Sequence, residues 1–417
     1  MARKHHRRRR ALRRGTWKPR STYASRARDQ DKDLLLLMLF DAIEEDDDDL
    51  ILPLAEAIDN GEDATQWRIR LSQRDALSGG DGKWRKKIRY GSLSNYGGAP
   101  DPPVSPREFY EHFRITQEQV PQLVDALKLA DVTLKLPCGG RVSGEECLLI
   151  YLKRMAYPCR LVQMQRFFGR SKGYLSEAVN YMQHYLYDDF AVKLVQTIDW
   201  DRIRPKLKEF ARAIHRKGAP FTTLALLLDG TFRYIARPGG RKRNQRSMYS
   251  GRKKGHGLNY QGLGSPDGIL IQVFGPKRGP THDLTLLRDA DTEQQLRDFA
   301  TVGGTQYVCF GDLGYTRSDV IQCPHKCIGG HLSPDELQFN NAMKKIREPI
   351  EWAFGRVLQI FPFVDYKKNL KIRLQPVAKM FATTAFLTNC ITCMQGHQTA
   401  DYFACRPPTL AEYLANA

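Results

Sequence analysis

The hydrophobic pattern of this chain changes period at Gly218-Ala219-Pro220. Before that breaker, from about Ser105, apolar residues recur three and four apart, the spacing of amphipathic helices. After it come short apolar runs suited to strands, Thr223 to Leu228, Leu258 to Leu263, Ile269 to Phe274 and Gln306 to Phe310. Ser265-Pro266-Asp267-Gly268 separates two of them as a hairpin turn. Long helical patterns then follow at Pro334 to Phe361 and Pro376 to Met394. A chain patterned this way folds as a helical region followed by an α/β layer. Its 417 residues are enough for two cores.

The charge is distributed as sharply as the apolar residues. Residues 1–28 hold twelve Lys or Arg and no acid, whereas residues 29–60 hold twelve Asp or Glu and one Lys. Of the formal net charge of +19, residues 61–417 keep +18, so the body of the protein is itself cationic. Such a field favours a polyanion, and nucleic acid is the commonest. The basic arm, with Arg7-Arg8-Arg9-Arg10, cannot pack a core and is expected to be disordered, as a nuclear localisation signal, a non-specific DNA arm or a solubilising tail. The acidic run from Glu44 to Asp49 either folds back on that arm or is simply solvated. Residues 29–104 end in a Gly-, Ser- and Pro-rich linker, and 397–417 are read as a C-terminal tail.

The longest apolar run, Leu34 to Phe40, is far short of the ~20 residues that cross a bilayer, so a soluble protein without a membrane partner is expected. Nine cysteines without dense spacing point to free thiols in a reducing compartment. Two clusters have zinc-ligand residue types: Cys323, Cys327 and His331, and Cys390, Cys393 and His397. The second lies in an apolar helical stretch, where buried cysteines are common.

Within the helical region, 105–218, Thr116 with Gln119 and Ser143 with Glu146 are plausible capping boxes. Leu161 to Phe168, Gly169-Arg170-Ser171 and Lys172 to Tyr185 have the pattern of helix, tight turn, helix. The second helix would bury Leu175, Val179 and Met182 and turn Lys172, Ser176, Asn180 and Gln183 outward. Residues 161–185 are thus a candidate helix-turn-helix for a major groove, or an ordinary packing unit.

Asp229 follows the run Leu224 to Leu228, and Asp312 follows Tyr307 to Gly311. Acids at the ends of neighbouring buried strands come within bridging range of one metal. Glu351 lies on a helical pattern four residues after Arg347, so both project from one face. Three such carboxylates suit two Mg²⁺ or Mn²⁺ ions rather than zinc. The plainer alternative is that Asp229 caps a turn, Asp312 starts a loop and Glu351 pairs with Arg347 at the surface. Arg237, Arg241, Lys242, Arg243, Arg246, Arg252, Lys253 and Lys254 crowd the loop between the first two strands and read as a phosphate track or a solvated loop. Tyr249 is a stacking residue for an unpaired base or a core aromatic.

The segment from about Leu228 to Asn389 resembles the DDE endonuclease domain of the Harbinger/PIF-like transposases and their domesticated nuclease relatives. The matching stretches are Leu228-Asp229-Gly230-Thr231, Tyr249 to His256, Gly279-Pro280-Thr281-His282-Asp283, Leu286-Leu287-Arg288 and Gly311-Asp312-Leu313-Gly314-Tyr315. Phe339-Asn340, Arg347, Glu351, Phe354 and Gly355 follow in the family's order. The resemblance implies an RNase H-like catalytic domain over 219–396, with Asp229, Asp312 and Glu351 as its acid triad. His282 and Asp283 match a motif near that site, and Arg347 matches the basic residue one turn before the glutamate. It also implies DNA cleavage with two Mg²⁺ or Mn²⁺ ions, a homo-oligomer and a Myb-like accessory protein. The family's helix-turn-helix position matches 161–185, and the implied compartment is the nucleus, with the cytoplasm as a further one. Where the family commonly has lysine, this chain has Leu358, with Arg356 nearby as a substitute. The expected architecture is therefore a disordered N-terminal tail, a helix-turn-helix-like helical domain and an α/β RNase H-like domain. The rival readings are a domesticated DNA-binding protein without transposition and an RNA-directed nuclease on the same fold.

Overall fold

The computed structural model describes residues 105–239, 242–327, 331–372 and 374–417. The basic arm, the acidic block, the linker to residue 104 and Arg241 lie outside the described residues.

Helix α1 (Pro106–Phe113) opens on a Ser105 cap, whose hydroxyl accepts the Glu108 N–H at 3.2 Å, with Pro106 pre-setting φ at the first helical position. In α2 (Gln119–Ala126) only half of the expected box forms: Gln119 Oε1 accepts the Thr116 N–H at 3.0 Å, and the cap position falls on Glu118. Strands β1 (Thr133–Lys135) and β2 (Arg141–Ser143) form a small hairpin before α3 (Gly144–Ala156). Ser143 caps α3 by accepting the Glu146 N–H, but Glu146 does not close the box. Its buried carboxylate instead takes a two-pronged ion pair from Arg170, with Nε 2.9 Å from Oε1 and Nη2 3.0 Å from Oε2.

Arg170 belongs to the turn between α4 (Leu161–Phe168) and α5 (Lys172–Tyr185). Gly169 ends α4 at φ 64, a left-handed conformation that costs glycine little. Ser171 caps α5 through the Tyr174 N–H. Helix, tight turn and helix are all present, and the turn is fastened to α3. Leu175, Val179 and Met182 are buried as expected. Gln183 is not on the outer face: it is fully buried, accepts from the Tyr151 hydroxyl at 2.7 Å and donates to Thr383 Oγ1 at 2.7 Å. A strict outer stripe fails there because α5 is covered on more than one side.

A π-helical segment, Leu186–Gln196, continues from α5, followed by α6 (Trp200–Ile203) and α7 (Leu207–Arg216). The second half contains β3 (Leu224–Tyr234), α8 (Lys242–Met248), β4 (Tyr249–Ser250), β5 (Gly255–Gly264) and β6 (Leu270–Arg278). Next come α9 (Asp283–Asp289), α10 (Thr292–Phe299), β7 (Thr301–Val302), β8 (Thr305–Gln306), β9 (Val308–Phe310) and β10 (Ile321–Gln322). The chain closes with α11 (Pro334–Ile360), α12 (Val377–Gln395), α13 (Gln398–Phe403) and α14 (Leu410–Leu414).

The main sheet runs β10-β9-β3-β5-β4, with β6 also paired to β5. Strands β10, β9 and β3 are parallel; β5 is antiparallel to β3, and β6 to β5 through the expected hairpin. The Leu224 to Leu228 run is buried throughout, as a central strand requires. Helix α11 lies against β5 where that strand has no side chains. A Cβ on Gly262 would stand 2.3 Å from the Phe354 ring, and one on Gly264 2.5 Å from Ile350 Cδ1.

One apolar cluster runs through the helices of 105–216 and the sheet without a break. Helix α12 is long and apolar enough to cross a membrane; here it is mostly buried, packed on β6 and the π-helical segment. Residues 397–417, read above as a tail, carry α13 and α14, and Tyr413 is fully buried with its hydroxyl accepting from Asn389.

Candidate active site

Asp229 does not follow its strand but sits inside it, because β3 runs on to Tyr234. Its two neighbours end at different places. Pairing with β9 stops at Leu227↔Phe310, while pairing with β5 continues to Tyr234↔Gly257. From Asp229 onward β3 therefore continues on its β5 side without β9. Asp312 stands two residues beyond Phe310, as Asp229 stands two beyond Leu227. Two parallel strands thus deliver their acids from one shared pair.

Glu351 comes from α11. Phe354, one turn further along, packs on Gly262, which is the β5 partner of Asp229. That docking sets the helix beside the strand that bears the first acid. Arg347 Nη1 lies 3.4 Å from Asp229 Oδ1, and Arg347 Nη2 pairs with Glu351 Oε1. Asp229 is only 13% exposed, whereas Glu351 is half exposed. Burial raises the Asp229 carboxyl to about 7; Arg347 opposes the rise, and Asp312 and Glu351 reinforce it. Asp312 Oδ1 accepts the Gly314 N–H at 2.9 Å, closing a turn. Two of the three features of the plainer reading, the Arg347 pair and the turn at Asp312, are present within the acid cluster, whereas Asp229 lies inside β3 rather than capping a turn.

Asp283 stands at the first position of α9 with its carboxylate turned inward, 15% exposed and 3.9 Å from Arg252 Nη2. The loop before it is held by Asn259, whose side chain donates to the carbonyls of Gly279 at 3.0 Å and Thr281 at 2.7 Å. His282 is the exposed cap residue of α9 and supplies only its carbonyl to that helix. Tyr315 is the residue that sequence reasoning quoted without a role. It is 1% exposed, its buried hydroxyl has no hydrogen-bond partner among the described residues, and after burial the strongest influences raising it are Asp283, Asp229 and Asp312. Its place directly after the Asp312-Leu313-Gly314 turn was the available signal.

The donor set suits a hard divalent cation in kind, since Asp229, Asp312 and Glu351 offer only carboxylate oxygens. Burial is the main cause of the rise at Asp229, and the repulsion from Asp312 and Glu351 that adds to it is charge such an ion would neutralise. In position, Arg347 occupies that role between two of the acids, and no three His, Cys, Asp or Glu side chains among the described residues gather to hold a metal.

Of the basic residues, Arg252, Lys253 and Lys254 form an exposed turn between β4 and β5, with Lys254 at φ 50. Lys242 and Arg243 fall in α8, and Arg237 is tied to Gln245. Tyr249 is 43% exposed, with its ring 5.3 Å from that of His256. Lys172, Ser176 and Asn180 lie on α5, Asn180 exposed and the others half-buried. Arg356 donates to the Gly396 carbonyl at 2.9 Å, which engages it away from the Arg347 and Glu351 face, and Leu358 packs on the core.

Neither cysteine cluster forms a metal centre among the described residues. Burial pushes Cys390 well up and Cys393 to about 12, the opposite of a zinc-bound thiolate, and His397 Nδ1 accepts the Thr399 N–H as the α13 cap. Cys323 is buried against the Tyr315 carbonyl, whereas Cys327 is exposed.

No curated protein and no solved structure matches the chain in the comparisons made with them. Residues 228–389 do match a family model, that of the DDE superfamily endonucleases. The matched segment begins one residue before Asp229 and ends within α12, leaving the helices of 105–216 outside it. The segment that carries Asp229, Asp312 and Glu351 is thus similar to the DDE superfamily endonucleases.

Proposed function

We propose that this chain is a nuclear, metal-dependent DNA endonuclease of the Harbinger/PIF-like transposase kind, on an RNase H-like fold. The observation that carries the reading is the delivery of Asp229 and Asp312 from one strand pair, with Glu351 brought alongside by the docking of α11 on Gly262. The mixed sheet, parallel at β9 and β3 and antiparallel at β5 and β6, supports the fold.

Asp229, Asp312 and Glu351 would hold Mg²⁺ or Mn²⁺, which when bound supplies Lewis-acid activation of a water or 3′ hydroxyl and stabilisation of the leaving oxygen. The protein's own share is positional. The strand fixes Asp229, the turn at Gly314 fixes Asp312, and Arg347 balances the charge of Asp229 and Glu351 until substrate arrives. The Arg252 to Lys254 turn, next to Asp283, is placed to hold a phosphate backbone leading into the cluster. These contacts supply affinity; sequence choice falls to α5, with Lys172, Ser176 and Asn180 presented to a major groove. The family resemblance supports a homo-oligomer and a Myb-like accessory protein.

The pairing of Arg347 with Asp229 and Glu351 favours a second reading, a domesticated DNA-binding protein that keeps the fold without cutting. Nicking of supercoiled DNA in Mg²⁺ or Mn²⁺, with a Myb-like partner supplied, separates the two. Cleavage lost in Asp312→Asn and Glu351→Gln supports the nuclease; equal DNA binding by all three proteins with no cleavage supports the binding protein.

A further inference from the structure

Asp283 is an acid in the first turn of a helix, where a carboxylate ordinarily faces the free N–H groups. Here it caps nothing in α9 and lies against backbone from two other elements. Its Oδ1 is 2.8 Å from where a Cβ on Gly230 would stand, and its Oδ2 is 3.0 Å from the same position on Gly314. Asp312 Oδ1 lies 2.9 Å from that Gly314 position. The Asp283 carboxylate therefore fills a notch that exists only because residues 230 and 314 have no side chains. One wall of the notch is the residue after Asp229. The other is the turn whose N–H holds Asp312.

Two further contacts fix the wedge. Asn259 fastens the loop that leads into α9, so Asp283 approaches the sheet from an anchored backbone. Tyr315, fully buried with its ring against Gly311, closes the turn from behind. Arg252 reaches the same carboxylate from the exposed basic turn.

We propose that Asp283 is a positioning residue for the acid pair, its carboxylate wedged between Gly230 and Gly314 so that it sets where Asp312 stands relative to Asp229. The proposal deepens the nuclease reading and rests on it for its catalytic consequence. The wedge itself is a matter of shape, so the amide of asparagine replaces it and the methyl of alanine does not.

Asp283→Asn and Asp283→Ala, in the full-length protein, separate a wedge from a ligand. Nicking by Asp283→Asn should stay within about threefold of the parent, while Asp283→Ala loses roughly 10–100-fold in kcat with little change in KM. Equal loss in both would make the charge essential and overturn the wedge; no loss in either would overturn it as well. Hydrogen exchange at the Gly314 amide, in metal-free protein, reads the same distinction without any cleavage. It should be unchanged in Asp283→Asn and faster by about tenfold in Asp283→Ala. If the parent does not nick DNA but this exchange contrast holds, the nuclease reading fails and the wedge stands. If the parent nicks DNA and the contrast is absent, the wedge fails alone.

Discussion

Arg347 stands 3.4 Å from Asp229 and pairs with Glu351 one turn along its own helix, so a single guanidinium serves two carboxylates from different elements. A divalent cation held by the proposed triad would need the same oxygens, so Arg347 would compete with it for them. Arg347→Gln should bind Mn²⁺ about 3–10-fold more tightly than the parent in a calorimetric titration without DNA. Asp229→Asn is the control that should lose binding. Weaker or equal affinity in Arg347→Gln would mean that the arginine assists the ion.

Asp229 makes the free site costly at neutral pH. Its folded value of about 7 lies above the ordinary 3.8, so between these values the folded chain holds more proton than the unfolded one. The stability this contributes is present below about pH 4 and is lost as pH rises through about 7. In EDTA at pH 8, Asp229→Asn should therefore be more stable than the parent, by on the order of 1–3 kcal/mol. At pH 4 the difference should largely vanish in denaturant melts.

The turn Arg252-Lys253-Lys254 is exposed, and among the described residues Arg252 pairs with Asp283. Replacing all three with alanine should weaken DNA binding uniformly across sequences. It should also flatten the plot of log affinity against log salt by about 2–3. A salt slope equal to the parent's would remove this turn from the interface.

On α5, two amide side chains three residues apart have opposite duties. Gln183→Ala leaves the Tyr151 hydroxyl without its acceptor and removes a donor from Thr383, whose hydroxyl keeps the Lys379 carbonyl, and should cost about 1–3 kcal/mol. Asn180→Ala, at an exposed position, should change stability by no more than ~0.5 kcal/mol. If α5 reads a major groove, Asn180→Ala also narrows the gap between preferred and random duplex in a competition assay. An unchanged gap would leave α5 as a packing helix.

What the sequence disclosed follows from which interactions are local. Periodicity marked the hairpin around Ser265 to Gly268 and both long helices, because burial repeats along each element. The continuous apolar runs before Asp229 and Asp312 marked two buried strands, but that β3 and β9 pair with each other is seen only in the structure. Other features depended on partners distant in sequence. Gln183 looked solvent-facing because its partners come from α3 and α12. Glu146 looked like a cap because Arg170, which takes it, is 24 residues away. Asp229 looked like a strand end because the apolar run stops at Leu228, whereas the strand continues to Tyr234 through its pairing with β5. The duties of Tyr315 and Gly314 depend on carboxylates delivered by three separate segments.

Bare backbone at Gly262 and Gly264 makes β5 the gauge for the whole site. The ring of Phe354 rests directly on main chain, so the height of α11 above the sheet is fixed by atoms that no substitution can trim further. Adding even a methyl group there would lift Glu351 away from Asp229 while leaving every acid in place. Variants that silence such a protein should therefore include changes at residues with no chemistry of their own. The tolerance of the site is set as much by these two missing side chains as by its charged ones.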